Sequence, residues 1–584
     1  MQKHIPITLL ALIGMLQITV AQDKDKKDLG TQTVTVVKAY SPTISDAFKI
    51  KSVPTLNDSI VLQKKNIEYS INSVPVASTF TPAKGKAAGV EKTPPPTLYN
   101  SYASVGVGNY FNAAADFYTS RALNRDERLD VGLNHLSSSS DISDADLSTK
   151  FYNTKLSADY TKTDRDLVWG ANIGFQHQLY NWYGLPKDVF SQTVIDGIDS
   201  KQNYFMGEAG AHMSMDNSFF KGGELRYRRF WDAVKSGENR AYFTPKFEFP
   251  VNDEVVALDV KIDYVGGSFK NANLNNTAND AGIDYGRLQF GISPSLQMLR
   301  DDLTLNLGVG FVYGLDMENS DGNFYIYPEV TASYRLLDET VIAYGGIEGE
   351  LDQNSYYGFV EDNPYVSPTL GIQPTDKKYN AYVGLKGRLM PNLSYNVKGS
   401  YIAENRKPLY LMNPENQFRN DAKGYYYSNS FQVFYDDIKT LGFFGELNLD
   451  VNRDFTLGIN AEVFNYNTET DNPAWNLPDL KASLFMDYQI GKQWFTGANL
   501  FYVGERKDLM AQAVQNVQPS DFPSEIVTLD AYFDINAHVG YRWTDQWSFF
   551  LNFNNIANNN YMRWANFQVQ GFQVLGGAAY KFDF

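Results

Sequence analysis

Five histidines set the ceiling on acid–base chemistry in this 584-residue chain. His4 belongs to an N-terminal stretch read below as removed on export. His135, His177, His212 and His538 fall in four separate stretches, with no HExxH or comparable ligand spacing. Hydrolysis by His beside a carboxylate or Ser needs such groups in hydrogen-bond reach, and no spacing points to it. The lack of cysteine removes thiolate catalysis, thiolate-bound zinc, iron–sulfur clusters, disulfides and a lipoprotein anchor. Gly106-x-Gly108 and Gly308-x-Gly310 lack the third glycine and the helix of a dinucleotide loop. Asn319-Ser320-Asp321-Gly322-Asn323 reads as a turn in preference to a calcium-loop fragment. No catalytic residue, cofactor or metal is therefore expected. The 67 acidic against 51 basic side chains, net −16, leave no basic footprint for phosphates, so nucleic acid is excluded as a partner.

A different set of polar residues recurs at every second position. Glu224, Arg226 and Arg228 share one face of a strand-like run, and Asp259, Lys261 and Asp263 share another. Lys386, Arg388, Lys398, Glu446 and Asp450 do the same elsewhere. The elements that would carry them alternate strictly. Leu303, Leu305, Leu307, Val309, Phe311 and Tyr313 face away from Thr304, Asn306, Gly308 and Gly310; Val256, Leu258, Val260, Ile262 and Tyr264 oppose the charged set of their own run. Successive Cβ atoms of a strand point to opposite faces, so each run makes one apolar and one polar side.

Length separates a membrane barrel from a soluble sandwich. The runs hold 10–14 residues, beyond the usual globular mode of about 5–6 and matched to the 9–11 tilted residues that cross a bilayer. No apolar stretch outside the N-terminus reaches the ~18 residues of a spanning helix, and mean hydropathy is −0.36. The aromatic load (8 Trp, 39 Tyr and 38 Phe) suits interfacial girdles. Short turns recur at Arg125-Asp126-Glu127, Thr163 to Asp166, Asp216 to Ser218, Asn252-Asp253, Arg300 to Asp302, Leu337 to Glu339, Pro391-Asn392, Asn452 to Asp454, Gly491-Lys492 and Thr544-Asp545, with room for two strands and a loop between each. The expectation is an all-β, transmembrane antiparallel barrel of about 22 strands over residues 98–584, integral to the bacterial outer membrane and in contact with its lipid. The first hairpin should turn near Asn109-Tyr110, and Phe431 to Asp437 is expected to form a hairpin above the membrane. On this plan Arg226, Arg228, Lys261, Lys386 and Arg388 line the lumen. They either hold a thread of chain or select solute, or simply pair with one another to stiffen a wide barrel.

Residues 1–21 have the form of a signal peptide: Lys3, an apolar run from Ile5 to Val20, and small residues before a cleavage site at Ala21 or Gln22. Residues 22–97 form an N-terminal extension, with a β-prone Thr33-Val34-Thr35-Val36-Val37 run and a linker ending in Pro94-Pro95-Pro96. They read as a disordered tail, or a thread in the lumen or against a partner.

An exported chain with Thr33 to Val37 just after its signal peptide and a barrel of this size behind it resembles a TonB-dependent receptor of the Bacteroidota type. Gly106-x-Gly108-Asn109-Tyr110, His135-Leu136-Ser137 and Trp182-Tyr183-Gly184 are similar to barrel sequences of that group. The resemblance implies that Thr33, Val34, Thr35, Val36 and Val37 add a strand to a TonB-like energy-coupling protein. The final Tyr580-x-Phe582-x-Phe584 resembles the signal read by outer-membrane assembly machinery. The family's plug exceeds a hundred residues; here only 38–97 are available, without the apolar-Arg-Gly motif. They would fill the lumen only partly unless outer loops fold inward or a second protein enters. Two functions follow: a receptor-like barrel for binding or TonB-coupled import of a solute, or a non-transporting accessory subunit of a larger complex with other outer-membrane or periplasmic proteins. The loop aromatics Trp182-Tyr183, Tyr356-Tyr357, Tyr410, Tyr425-Tyr426-Tyr427, Trp475, Tyr561 and Trp564 either face protein or sugar ligands, or pack on each other.

Overall fold

The computed structural model describes residues 97–584 apart from 252–253, 272–281, 416–421 and 512–523. The signal peptide and Thr33 to Val37 lie outside the described residues. Among those described, a single antiparallel sheet of 22 strands closes on itself. The first strand, Ser101–Gly108, pairs with the last, Gln573–Phe582, in the register Ser101↔Phe582 to Gly108↔Leu575. Closure removes the sheet edges, so the ladder needs no water to satisfy its backbone groups.

Alternation decides which way each side chain points. Ile173, Leu225, Phe290, Val383 and Phe443 stand exposed on the outer wall. Their alternates Gln176, Glu224, Gln289, Lys386 and Glu446 face the lumen. An apolar exterior this extensive is stable only where the surrounding solvent is apolar as well.

Ten connections of two to four residues lie at one end of the cylinder, together with both ends of the described chain; eleven connections of four to 28 residues lie at the other. The first hairpin turns through Asn109–Phe111. The stretch 431–437 forms no separate element. It begins the 22-residue strand Phe431–Asn452, whose partner Leu393–Met412 has 20 residues. Pairing runs from Met412↔Phe431 down to Leu393↔Leu449, with one register shift between Glu404 and Lys407. The two arms therefore rise as one ribbon well past the neighbouring strands. The extra residue of the shift lies in the partner strand at 405–406, so Phe431, Val433 and Tyr435 keep the parity of Leu441 and Phe443, and the polar Asp436, Asp437 and Lys439 between them make one continuous strand look like two in the sequence.

Candidate functional site

The connection between strands Val341–Asp352 and Thr375–Met390 carries the helix Tyr356–Asp362. Tyr356, Phe359 and Val360 recur at i, i+3 and i+4, so one helix face is apolar and all three are buried. Ser355 caps the start, accepting from Gly358 N at 3.1 Å. The connection does not project away from the barrel. It folds against the lumen wall near the long-loop end and is held there by side chains of other strands.

Glu238, 1% exposed, makes the central clamp. Its carboxylate accepts from Tyr356 N at 2.6 Å, Tyr357 N at 3.4 Å and the Tyr285 hydroxyl at 2.9 Å. A carboxylate against the first free N–H groups of a helix satisfies donors that have no partner within the helix. The Tyr356 hydroxyl donates to Asp232 at 2.9 Å, and burial raises its pKa well above the ordinary value, so it stays a donor. The Arg228 guanidinium lies 3.9 Å from the Tyr357 ring centroid, a cation–π contact. Gln178 and Gln176 donate to Glu361 at 2.7 and 3.3 Å, and Lys155 pairs with the same carboxylate at 3.7 Å. Tyr204 donates to the Pro364 carbonyl at 2.9 Å, and Arg287 to that of Ile372 at 3.3 Å.

Apolar packing completes the closure. Tyr204, Phe230, Val265, Phe269 and Tyr285 from the wall meet Tyr356, Phe359, Val360 and Val366 from the segment. Met412, Phe431, Leu529 and Phe567, from the tall ribbon and two further long connections, belong to the same cluster. The loop aromatics mostly pack on each other: Trp182, Tyr425 and Tyr426 form one buried group, and Trp475 joins Leu409, Leu411 and Ile438 in another.

Beside the inserted segment lies a polar cavity of about 300 Å³. Its lining includes Arg287, Gln289, Asp316, Asn323, Tyr325 and Gln353.

The residues singled out from the sequence scatter around the lumen and form no single site. Arg226 pairs with Glu208 at 3.7 Å and with Glu224. Lys261 pairs with Asp263 at 3.9 Å, and Lys386 lies 5.3 Å from the Tyr344 ring centroid. Arg388 meets Glu339 at 3.5 Å at the short-turn end. Of these lumen charges, Arg228 alone touches the inserted segment among the described residues. Tyr580 and Phe582 stack at 5.5 Å, and Phe584 packs edge-on against Phe582 at 5.0 Å. The four histidines stay apart. His135 contacts Thr154 and Ser137, while His177 stacks on Phe205. The turn at 317–320 is organised by Asp316, which accepts from Glu318 N, Asn319 N and the Asn319 side chain.

Sequence reading missed Glu238, Asp232 and Gln289. The available signals were the i, i+3, i+4 spacing in an unusually long connection and carboxylates at the tops of lumen-facing strand positions.

No protein-family model matches the chain, and no curated protein matches it. Solved structures do match in fold. The pyoverdine outer-membrane receptor FpvA from Pseudomonas aeruginosa PAO1 superposes with a TM-score of 0.61 at 13% identity, over 84% of this chain and 79% of that one. The siderophore receptor PirA from Acinetobacter baumannii gives 0.62 at 14%, over 82% and 80%. The ferric-catecholate import receptor Fiu from K12 E. coli gives 0.58 at 11%, over 83% and 82%. At these identities the likeness is one of fold, and the chain has the 22-strand barrel fold found in outer-membrane receptors.

Proposed function

We propose that this chain is an integral outer-membrane, receptor-like barrel that binds a solute at its long-loop end and passes it inward without a catalytic step. The carrying observation is a closed cylinder, apolar outside and polar inside, whose lumen is narrowed by the clamped 353–374 segment. Solved structures of the same fold are receptors for pyoverdine and siderophores, which supports the reading. In it the long connections face the cell exterior, and the short turns and chain ends face the periplasm. Thr33 to Val37 lend a strand to a TonB-like energy-coupling protein, with backbone hydrogen bonds supplying the affinity. The inserted segment is the element that moves for passage. It is tied to the wall chiefly through side chains such as Glu238 and Gln178, and these contacts break without opening the strand ladder.

Deletion of residues 33–37 tests this. Cells should lose the solute-dependent growth that loss of the whole protein abolishes, while the barrel still reaches the outer membrane. Unchanged growth in the deletion strain would refute energy-coupled import. One observation favours a second reading: the long-loop aromatics are spent on one another, as suits a scaffold subunit. That reading requires stoichiometric partners on purification from detergent-solubilised membranes, with assembly unaffected by the same deletion.

A further inference from the structure

One arc of the outer wall carries hydrogen-bond donors and unpaired cations near the long-loop end. It spans the adjacent strands Glu127–Ser138, Phe151–Thr163, Leu167–Asn181, Lys201–Met215, Phe220–Asp232 and Gly237–Val251. The register puts His135 and Thr154, His177 and Phe205, and Arg229 and Asn239 side by side on the outward face. We propose that this arc binds an anionic lipid head group, one whose phosphate charge no cation of its own neutralises, through Arg229, Lys235 and Asn239. The inference needs the sidedness of the barrel and is independent of the import reading.

Depth is the first reason. His135, His177 and Arg229 stand about eight to ten residues above the short turns of their strands. At ~2.6 Å per residue along the membrane normal that is about 21–26 Å, the top of an apolar band ~25 Å tall. The rings of Tyr152, His177, Phe205 and Trp231 form a ladder at this height, with successive centroids 4.9, 4.3 and 5.5 Å apart. Such a belt marks the boundary where lipid head groups begin.

The chemistry of the surface is the second. Its amide oxygens are already engaged: the Tyr227 hydroxyl donates to Asn239 Oδ1 at 2.7 Å, and His177 Nε2 meets Asn203 Oδ1 at 3.2 Å. Both asparagines therefore offer their NH2 groups, two donors each. Arg229 is exposed, and its guanidinium reaches up over Gly237, where a Cβ would stand 2.5 Å from Nη2. A long side chain laid along the wall in this way carries its charge to head-group level. Beside Arg229 on the other strand lies Gly207, where the nearest atom to a Cβ is 4.0 Å away, so the wall is hollow there. Lys235 is exposed in the turn above Gly237, and Lys201 at the top of the adjacent strand. Among the described residues no carboxylate pairs with Arg229, Lys235 or Lys201. Outward positions in the upper halves of these six strands hold no Asp or Glu, although the chain as a whole carries a net charge of −16. Free donors and unpaired cations without acceptors match the oxygens of a phosphate.

Native mass spectrometry of the full chain released from dodecyl maltoside tests the inference. Phosphatidylglycerol is the probe, phosphatidylcholine the zwitterionic control, and inorganic phosphate the free anion. Phosphatidylglycerol should bind at least tenfold more tightly than phosphatidylcholine. Arg229→Gln and Lys235→Gln should each weaken that binding at least fivefold, every variant first checked for a folded, heat-modifiable barrel. Lys439→Gln, which removes an exposed cation from the tall ribbon, should change it less than twofold. Should Arg229→Gln fail to fold, Lys235→Gln, in its exposed turn, carries the same expectation. Equal affinity for the two lipids, parental binding in the Arg229 and Lys235 variants, or an equal loss in Lys439→Gln would overturn the proposal. Displacement of the lipid by equimolar inorganic phosphate would overturn the lipid assignment. A co-purifying protein lost in Arg229→Gln while lipid binding stays parental would overturn it too, in favour of an acidic protein face.

Discussion

Placing an arginine at Leu307 and at its neighbour Asn306 separates lipid from lumen on one strand. Leu307 is 40% exposed and pairs with Leu296 and Val330, so it stands in an apolar row on the outer wall. Asn306 pairs with Gln297 and Thr331 on the inner face. A strand rises ~3.4 Å per residue, or about 2.6 Å along the membrane normal at ~40° tilt. Leu307 lies four residues above Leu303, where the strand leaves its short turn, hence about 10 Å into an apolar band ~25 Å tall. That is close to the midplane, where an arginine costs ~2–4 kcal/mol against ~0–1 near the interface. Leu307→Arg should therefore lower the folded-to-unfolded ratio by about 10²-fold. Leu303→Arg, on the same face at the turn, and Asn306→Arg, in the lumen, should each cost no more than about 1 kcal/mol. Denaturant titration in phospholipid vesicles measures all three, provided the slopes agree. Equal penalties at 306 and 307, or a larger one at 306, would refute the sidedness on which the whole reading depends.

Glu238→Ala should free the helix Tyr356–Asp362: losing a buried carboxylate that accepts three hydrogen bonds costs about 2–4 kcal/mol locally, so amide exchange across 356–362 should accelerate at least tenfold while barrel amides keep their protection. Asp508 sits in the hairpin Arg506–Ala511 with Ser524–Leu529, outside the barrel sheet, where burial pushes its carboxyl up to about 6 despite bonds from Asn476, Met412 N and Leu509 N. Its folded pKa lies above the ordinary 3.8, so the folded hairpin holds the proton more tightly than the unfolded chain, and docking weakens as pH rises from about 4 to about 6, by about 3 kcal/mol at most. Exchange of hairpin amides, corrected for intrinsic rates, should show that slope in the native chain and lose it in Asp508→Asn. Trp182→Ala should cost about 3–5 kcal/mol within the long loops by emptying the space beside Tyr425, visible as protease cuts in 182–200 and 422–430 with the barrel band intact on a gel.

The amino-acid order alone determined the cylinder's elements, because side-chain alternation is local and needs no knowledge of partners. Leu303 to Tyr313 announces its apolar face whichever strand lies beside it, and short polar turns such as Pro391-Asn392 end each pass. From these the number of strands followed. Only the tertiary structure decided where the long connections go. Glu238 clamps a helix 118 residues further along the chain, and Gln289 is left with an empty acceptor because Gln353, 64 residues away, fixes its amide. Contacts of that kind depend on three-dimensional complementarity between distant segments. No period marks them, and Tyr356-Tyr357 reads equally well as a loop facing solvent or as the core of the inserted segment. The same closure brings Ser101 beside Phe582. A strand pattern says that an edge exists; it does not say which other edge will satisfy it.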